Sequence, residues 1–182
     1  MKIDLHNHSK YSDGVLSVKE LLNLAKEKKI DIMGLTDHDS VFGVDEAYTY
    51  GKEVGVKVLK GMELSTFHKG QTVHIVCYFK NNVIPKELYE FSQNIINTRL
   101  QRAHKMINKI KDYYKINIDE DFLFKNSCIV TRGNMYQCIL HSNPDIDHTL
   151  AQQMISDDSP CYIPASKMTT EEGIKLLNNL GA

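Results

Sequence analysis

Two histidines separated by one residue, His6 and His8, close a short run from Lys2 to Leu5. If that run is a strand, its side chains alternate between faces and both imidazoles point the same way. Two neutral imidazoles on one face can grip one metal ion. A His-X-His pair alone is weak evidence, since histidine serves many other roles. It gains weight from residues further along the chain: Asp13, then Asp37-His38-Asp39, then Glu63, then His74. Each sits in, or just after, a segment that reads as a strand. Together His6, His8, Asp13, His38, Glu63 and His74 offer a mixed set of nitrogen and oxygen donors. Such a set suits Zn²⁺, Mn²⁺ or Fe²⁺ better than Mg²⁺ or Ca²⁺ alone. Six donors exceed what one tetrahedral ion takes, and a carboxylate such as Glu63 can bridge two ions. Clustered ions activate a water and neutralise a phosphoryl group in line with attack. Asp13, His38 and Glu63 are read as catalytic as well as ligating. Asp37 and Asp39 either orient an imidazole from outside the metal or cap the following turn.

The elements that must position these residues alternate between strand and helix. Ser17-Val18-Lys19-Glu20 is a capping box, with Ser17 as N-cap and Glu20 three residues on. The helix it opens carries Val18, Leu21, Leu22 and Ala25 on one stripe and ends in lysines, Lys26, Lys28 and Lys29. Ile32 to Thr36 is a short apolar strand. A second helix, about Val44 to Glu53, stops at Gly55. Val56 to Leu59 is the next strand. This order predicts a parallel sheet or barrel with helices outside. In such folds sites gather at the carboxyl ends of the strands, where His6, His8, His38 and Glu63 all fall.

His74 needs a different element. A simple parallel strand over 72–79 would put it at the wrong end. Lys69-Gly70 offers a turn instead, with Gly70 free to take positive φ. A hairpin of 62–68 with 71–77 pairs His68 with Gln71 and Ser65 with His74. Glu63 then lies diagonally across from His74 on the same face, roughly 7–8 Å away.

The second half reads differently. Pro85 suits a first helical turn. From Lys86 to Tyr114 the apolar positions Leu88, Phe91, Ile95, Ala103, Met106, Ile107 and Ile110 keep helical spacing. The far end of that helix is basic, with Arg99 and Arg102 among its cations. Residues 117–159 are acidic, with short helix-like pieces and a turn at Asn143-Pro144. The organisation expected is residues 1–84 as sheet and helices, 85–164 as a helical insertion, and 165–182 as a return helix. Thr169 to Glu172 is a second capping box opening that helix.

The chain of 182 residues has 42% hydrophobic and 25% charged residues and a net charge of −1. Those values fit an ordinary soluble domain and give no global basic field for nucleic acid. No apolar run approaches a membrane span, and the expected compartment is the cytoplasm. Cys77, Cys128, Cys138 and Cys161 form no Cys-X-X-Cys pair. Structural zinc and redox motifs are therefore unsupported, and free thiols are expected.

These residues carry a family resemblance. Ile3-Asp4-Leu5-His6-Asn7-His8-Ser9, Ser12-Asp13-Gly14, Leu35-Thr36-Asp37-His38-Asp39, Gly61-Met62-Glu63 and Val73-His74-Ile75 resemble the successive motifs of the polymerase and histidinol phosphatase (PHP) domain. Asn97 to Arg102 and Thr131-Arg132-Gly133-Asn134 look like weaker motifs of the helical insertion in its stand-alone members. The resemblance implies a distorted (β/α)₇ barrel and a phosphoesterase site of two or three divalent transition-metal ions. It implies phosphorylated small molecules or short nucleic acids as substrates, among them nucleoside 3′,5′-bisphosphates, short RNA ends and other phosphomonoesters. Arg99, Arg102 and Arg132 are expected to bind phosphate, because guanidinium forks match phosphate oxygens bidentately.

In the family, the helix like Thr169 to Leu180 leads to further strands bearing more ligands, a histidine and an Asp-X-His pair. The expectation is therefore that only the N-terminal part of the barrel is present, as a fragment or a natural truncation with reduced activity. An open sheet edge would then invite self-association. Two other readings stand beside the phosphoesterase. One is a non-catalytic metal-binding or assembly module, and the other an amidohydrolase-type hydrolase, whose barrels also begin with His-X-His.

Overall fold

The computed structural model describes residues 1–125 and 129–182. Cys128 lies outside the described residues. The chain forms two compact units, Met1–Ile95 with Lys167–Ala182, and Ile96–Ser166.

The first unit is a curled four-stranded sheet with helices packed on it. Its strands are β1 (Ile3–Asn7), β2 (Ile32–Leu35), β3 (Lys57–His68) and β4 (Gln71–Tyr78), in spatial order β1-β2-β3-β4. β1, β2 and β3 run parallel, and β4 returns antiparallel to β3. The parallel crossovers are helices α1 (Val18–Glu27) and α2 (Val44–Val54), since parallel neighbours need a long connection. Ser17 and Glu20 cap α1 reciprocally, which contributes about 1 kcal/mol to its start. α1 buries Val18, Leu22 and Ala25, and these join Met33, Leu35, Val44, Ala47, Val58, Met62 and Leu64 in one core.

Two features of the sheet depart from the sequence reading. The segments 56–59 and 62–68 are not separate strands. They are halves of one twelve-residue strand, β3. Its first half pairs with β2 and its second with β4, so Glu63 lies mid-strand rather than at a strand exit. The second departure is in β1, where the pairing slips: Asp4 opposes Met33 but Asn7 opposes Leu35. Three residues of β1 thus span two of β2, a β-bulge. The β3–β4 hairpin has the expected register, His68 opposite Gln71 and Ser65 opposite His74. Its loop residues Lys69 and Gly70 both have positive φ, 45° and 85°. That is the backbone of the two-residue turn whose twist matches a hairpin, and glycine adopts it without penalty.

A last helix, α7 (Thr170–Asn179), is opened by the Thr169 and Glu172 capping box and packs on β3 and β4. The Thr66 and Thr170 hydroxyls meet at 2.9 Å. On β1, at the end of the strand order, Ile3 and Leu5 are exposed.

The second unit is helical. It holds most of α3 (Lys86–Tyr114), with α4 (Glu120–Lys125), α5 (Arg132–Ser142) and α6 (His148–Met154). Ala103, Met106, Ile107 and Ile110 of α3 pack with Leu123, Met135, Cys138, Ile139, Ala151 and Met154 in its core. The start of α3 instead contributes Leu88 to the core of the first unit. Among the described residues no helix is long and apolar enough to cross a membrane. Cys77, Cys138 and Cys161 are buried free thiols, and burial pushes that of Cys77 up to about 11.

Candidate metal centre

Glu63 is the hub of the polar rim of the first unit. Beyond β2 the chain stays extended beside β3: the Glu63 amide donates to the Asp37 carbonyl and the Asp39 amide to the Glu63 carbonyl. This bridge sets His38 beside Glu63. The hairpin brings His74 in diagonally from β4, and β1 delivers His6 and His8 from the other side. Asp13 arrives on the loop between β1 and α1.

All six residues come together. The Glu63 side chain is 8% exposed, yet it touches three imidazoles. Its Oε2 lies 2.6 Å from His6 Nε2 and 3.0 Å from His8 Nε2. Its Oε1 lies 3.1 Å from His74 Nδ1. Asp13 spans the other pair, with Oδ1 3.5 Å from His8 Nδ1 and Oδ2 3.6 Å from His38 Nε2. The imidazoles follow one another around the rim, with centroids 5.0 Å apart for His6 and His8, 4.6 Å for His8 and His38, and 4.9 Å for His38 and His74. Three donor groups result: His6, His8 and Glu63; His8, Asp13 and His38; and His38, Glu63 and His74. In each, the ligand atoms lie within 4.8 Å of one another.

The donor set fits divalent transition metals, being imidazole and carboxylate with no thiolate. One atom makes the fit specific. His38 Nδ1 is buried with no hydrogen-bond partner, and the nearest carboxylate oxygen, Glu63 Oε2, is 3.8 Å away. A buried nitrogen left so costs about 1–3 kcal/mol, a cost that a coordinated cation would remove. Burial pulls this imidazole below the ordinary histidine range, against the opposing pull of Glu63 and Asp13. The neutral form, the one that ligates, is therefore favoured.

Asp37 serves the loop rather than an imidazole directly. It is buried, and it accepts from the Ser9 amide at 2.7 Å, the Ser9 hydroxyl at 2.7 Å and the Ser12 hydroxyl at 2.6 Å. Burial pushes its carboxyl up, and the Ser12 and Ser9 bonds oppose that. Ser12 Oγ in turn lies 3.4 Å from His8 Nδ1. Asp37 thus pins the loop that carries His8 and Asp13. The Asp39 carboxylate accepts from the Ser65 amide at 2.7 Å. Asp39 itself takes φ 51°, a backbone in which aspartate is enriched. The sequence reading missed Ser9 and Ser12, although hydroxyls just past a strand and near an acid are a usable signal.

The arginines belong to the second unit. Arg99 and Arg102 lie one turn apart on α3, and Arg132 opens α5. The Arg102 and Arg132 guanidiniums stand over the Tyr162 ring, 5.2 and 5.5 Å from its centroid. Arg102 Nε donates to the Ile163 carbonyl, and Arg132 pairs with Asp157. Burial lowers the Arg102 pKa first, Tyr162 opposes this, and the Arg132 and Arg99 charges add to the lowering. Arg99 and Arg132 thus each lie close enough to Arg102 to repel it. The Thr131 to Asn134 segment has a structural role as well: Thr131 and Asn134 form a reciprocal capping box at α5.

Comparison with known proteins points to one family. The family model described as the PHP domain matches residues 4–157. A 5′-3′ exoribonuclease of Haemophilus influenzae is 47% identical over 75 residues, covering 41% of this chain and 27% of that protein. A 3′,5′-nucleoside bisphosphate phosphatase of Chromobacterium violaceum is 36% identical over 104 residues, covering 57% of this chain and 36% of that one. The chain thus aligns with about a third of the length of these two relatives. A solved structure of an amidohydrolase from Chromobacterium violaceum, with bound sulfate and no metal, superposes with a TM-score of 0.83 at 25% identity. It covers 99% of this chain, which spans 64% of it.

Proposed function

The chain belongs to the PHP domain family, and from that premise we propose that it serves the hydrolysis of phosphate esters at the rim around Glu63. In this reading His6, His8, Asp13, His38, Glu63 and His74 hold two or three divalent ions of the manganese, zinc or iron class. Such ions, when bound, activate water and neutralise charge on a phosphoryl group. The observation that carries the reading is the sharing of residues among the three donor groups. His8, His38 and Glu63 each belong to two of them. Glu63 turns one oxygen to His6 and His8 and the other to His74, so its carboxylate would be available to more than one of the donor groups. Asp13 divides its oxygens between His8 and His38 in the same way.

The reaction would form a bond from water oxygen to phosphorus and break the ester P–O bond, with the departing oxygen taking a proton. Arg99, Arg102 and Arg132 are assigned to phosphate recognition, supported by the placing of Arg102 and Arg132 over Tyr162 and by the Arg99 charge that acts on Arg102. The substrate class is a nucleoside 3′,5′-bisphosphate, the end of a short RNA or another phosphomonoester. It is supported by relatives named for RNA and bisphosphate substrates. A non-catalytic metal-binding role is the second reading, and the buried His38 Nδ1 supports it equally well, because that atom asks only for a cation.

One set of assays separates the two. The chain is loaded with Mn²⁺ or Zn²⁺ and offered adenosine 3′,5′-bisphosphate, a 5′-phosphorylated oligoribonucleotide and an aryl phosphate. Phosphate or nucleotide release that a chelator abolishes is the expected result. Calorimetric metal binding with no turnover of any substrate would leave the metal-binding role and sink the hydrolytic one.

A further inference from the structure

His6 and His8 reach Glu63 from a strand that is not regular. The pairing of β1 with β2 passes over Leu5 and His6, between the Asp4–Met33 and Asn7–Leu35 pairs. A bulge of this kind re-aims the side chains next to it. The bulged backbone must be held in one shape if two imidazoles are to meet a common partner. Two side chains hold it. Asn7 Nδ2 donates back to Asp4 Oδ1 at 3.0 Å and across to the Gly34 carbonyl at 3.2 Å. The second is Tyr78, at the end of β4, whose hydroxyl donates to the Leu5 carbonyl.

That bond crosses the sheet. β4 and β1 are its two outer strands, and three strand spacings in a flat sheet come to about 14 Å. A tyrosine is much shorter than that, so the bond exists only because the sheet curls. The ring also needs a clear path. A Cβ on Gly61 would come within 3.0 Å of Tyr78 Cδ1, and one on Gly34 within 2.9 Å of Tyr78 Cε1. The two glycines form the floor on which the ring crosses β3 and β2. The Leu5 carbonyl and the His6 amide nitrogen belong to one planar peptide unit. Fixing that carbonyl therefore fixes the orientation of the backbone from which His6 projects, and with it the approach to His8.

We propose that Tyr78 is a positioning residue of the rim: its hydroxyl sets the β1 bulge and so aims His6 and His8 at Glu63. The inference rests on the metal reading only for its bearing on metal affinity, since the aim of the imidazoles is a property of the metal-free chain. A purely structural strut would, on removal, loosen the sheet as a whole. A positioning residue would disturb the two β1 imidazoles and spare those on β2's extension and on β4.

The test is Tyr78→Phe, which keeps the ring and removes one oxygen. Histidine ring signals are followed by NMR in the metal-free chain, and Co²⁺ affinity is measured by titration. Tyr89→Phe is the control, because it removes another phenol hydrogen bond, that of Tyr89 with Asp45 in the same unit. The expected result for Tyr78→Phe is movement of the His6 and His8 signals with His38 and His74 in place. Co²⁺ affinity should fall roughly 10-fold, the scale of losing a group that orients a ligand. Tyr89→Phe should leave all four signals where they are. Unmoved His6 and His8 signals in Tyr78→Phe, or an equal shift of all four, would overturn the proposal. If the unsubstituted chain binds no Co²⁺, the metal reading fails, and the ring signals still decide the role of Tyr78.

Discussion

The rim of the first unit and the arginine cluster of the second solve opposite electrostatic problems by similar means. In the rim, four imidazoles and the Asp13 carboxylate gather around one buried acid, Glu63. In the cluster, the Arg102 and Arg132 guanidiniums stand against one aromatic ring, Tyr162, with Asp157 beside Arg132. Each centre offsets the crowding of its neighbours only in part. Glu63 cannot satisfy His38 Nδ1, which is left without a partner, and Arg102 is held below its ordinary value by burial first, with Tyr162 opposing and the Arg132 and Arg99 charges adding to the lowering. In the proposed reading the rim takes a cation and the cluster an anion. The difference lies in the supports. Strands and their bridges hold the rim, whereas helices and a cap hold the cluster. A substitution that empties one should leave the other intact.

The largest expected effect is at Glu63. Glu63→Gln keeps the shape of the hub and removes its charge. Metal affinity should fall by more than about 100-fold, beyond the range typical of groups that merely orient a ligand. The rise in Tm on adding Mn²⁺ should vanish with it, because only binding to the folded state produces that rise. Calorimetry and thermal melts read both quantities. Affinity for inorganic phosphate, measured without added metal, should stay within about 2-fold if the arginines alone hold it. A parallel loss of metal-free phosphate binding would show that Glu63 contributes to it and break the assignment to the arginines.

Next come the arginines. Arg102→Ala and Arg132→Ala should each weaken phosphate binding by roughly 10-fold, the worth of a charge-assisted hydrogen bond. They should part company in stability. Arg102 is partly buried and bonded to the Ile163 backbone, so its loss should cost about 1–3 kcal/mol. The Arg132–Asp157 pair is exposed, and its loss should cost no more than about 1 kcal/mol. Denaturant melts and phosphate titrations measure the two effects. Equal destabilisation by both would mean that the cluster is structural in the same sense throughout.

The two regions also differ in how far a reading of the residues could reach. The rim could be assembled from strand alternation, helix caps and the Lys69-Gly70 turn, because each is a short-range signal with one geometric outcome. The hairpin register that brings His74 to Glu63 follows from a two-residue turn. What escaped were features set by contacts distant in the chain. The continuity of β3 depends on its change of partner from β2 to β4, which no local pattern encodes. The β1 bulge answers to Tyr78, 73 residues away. Asp37 looked like a candidate for orienting an imidazole, yet it bonds Ser9 and Ser12 on a loop from another crossover. For the cluster, the basic character of α3 was visible, but nothing local showed that Tyr162 would gather the cations. Thr131 to Asn134 resembles a weak motif of the family's helical insertion, and Thr-X-X-Asn is also a cap.

The smallest effect concerns the competitor that the cluster carries. Asp157 occupies part of the Arg132 fork that a phosphate would use. The Arg132 hydrogen bond, followed by that of Tyr162, holds the Asp157 carboxyl below the ordinary aspartate value. A depressed folded-state value means stabilisation that is present above the ordinary value and lost as pH falls through the folded one. The window therefore lies below about pH 4. The carboxylate side chain is 67% exposed, so solvent screening keeps the contribution under about 1 kcal/mol. Asp157→Asn should flatten that acid limb of the Tm profile by a correspondingly small amount. At neutral pH it should also release Arg132 and raise phosphate affinity by about 2- to 5-fold, the worth of an exposed ion pair. The rim's metal affinity should not change. Weaker phosphate binding in the variant would reverse the sign, making Asp157 a support that orients Arg132 rather than a rival for it.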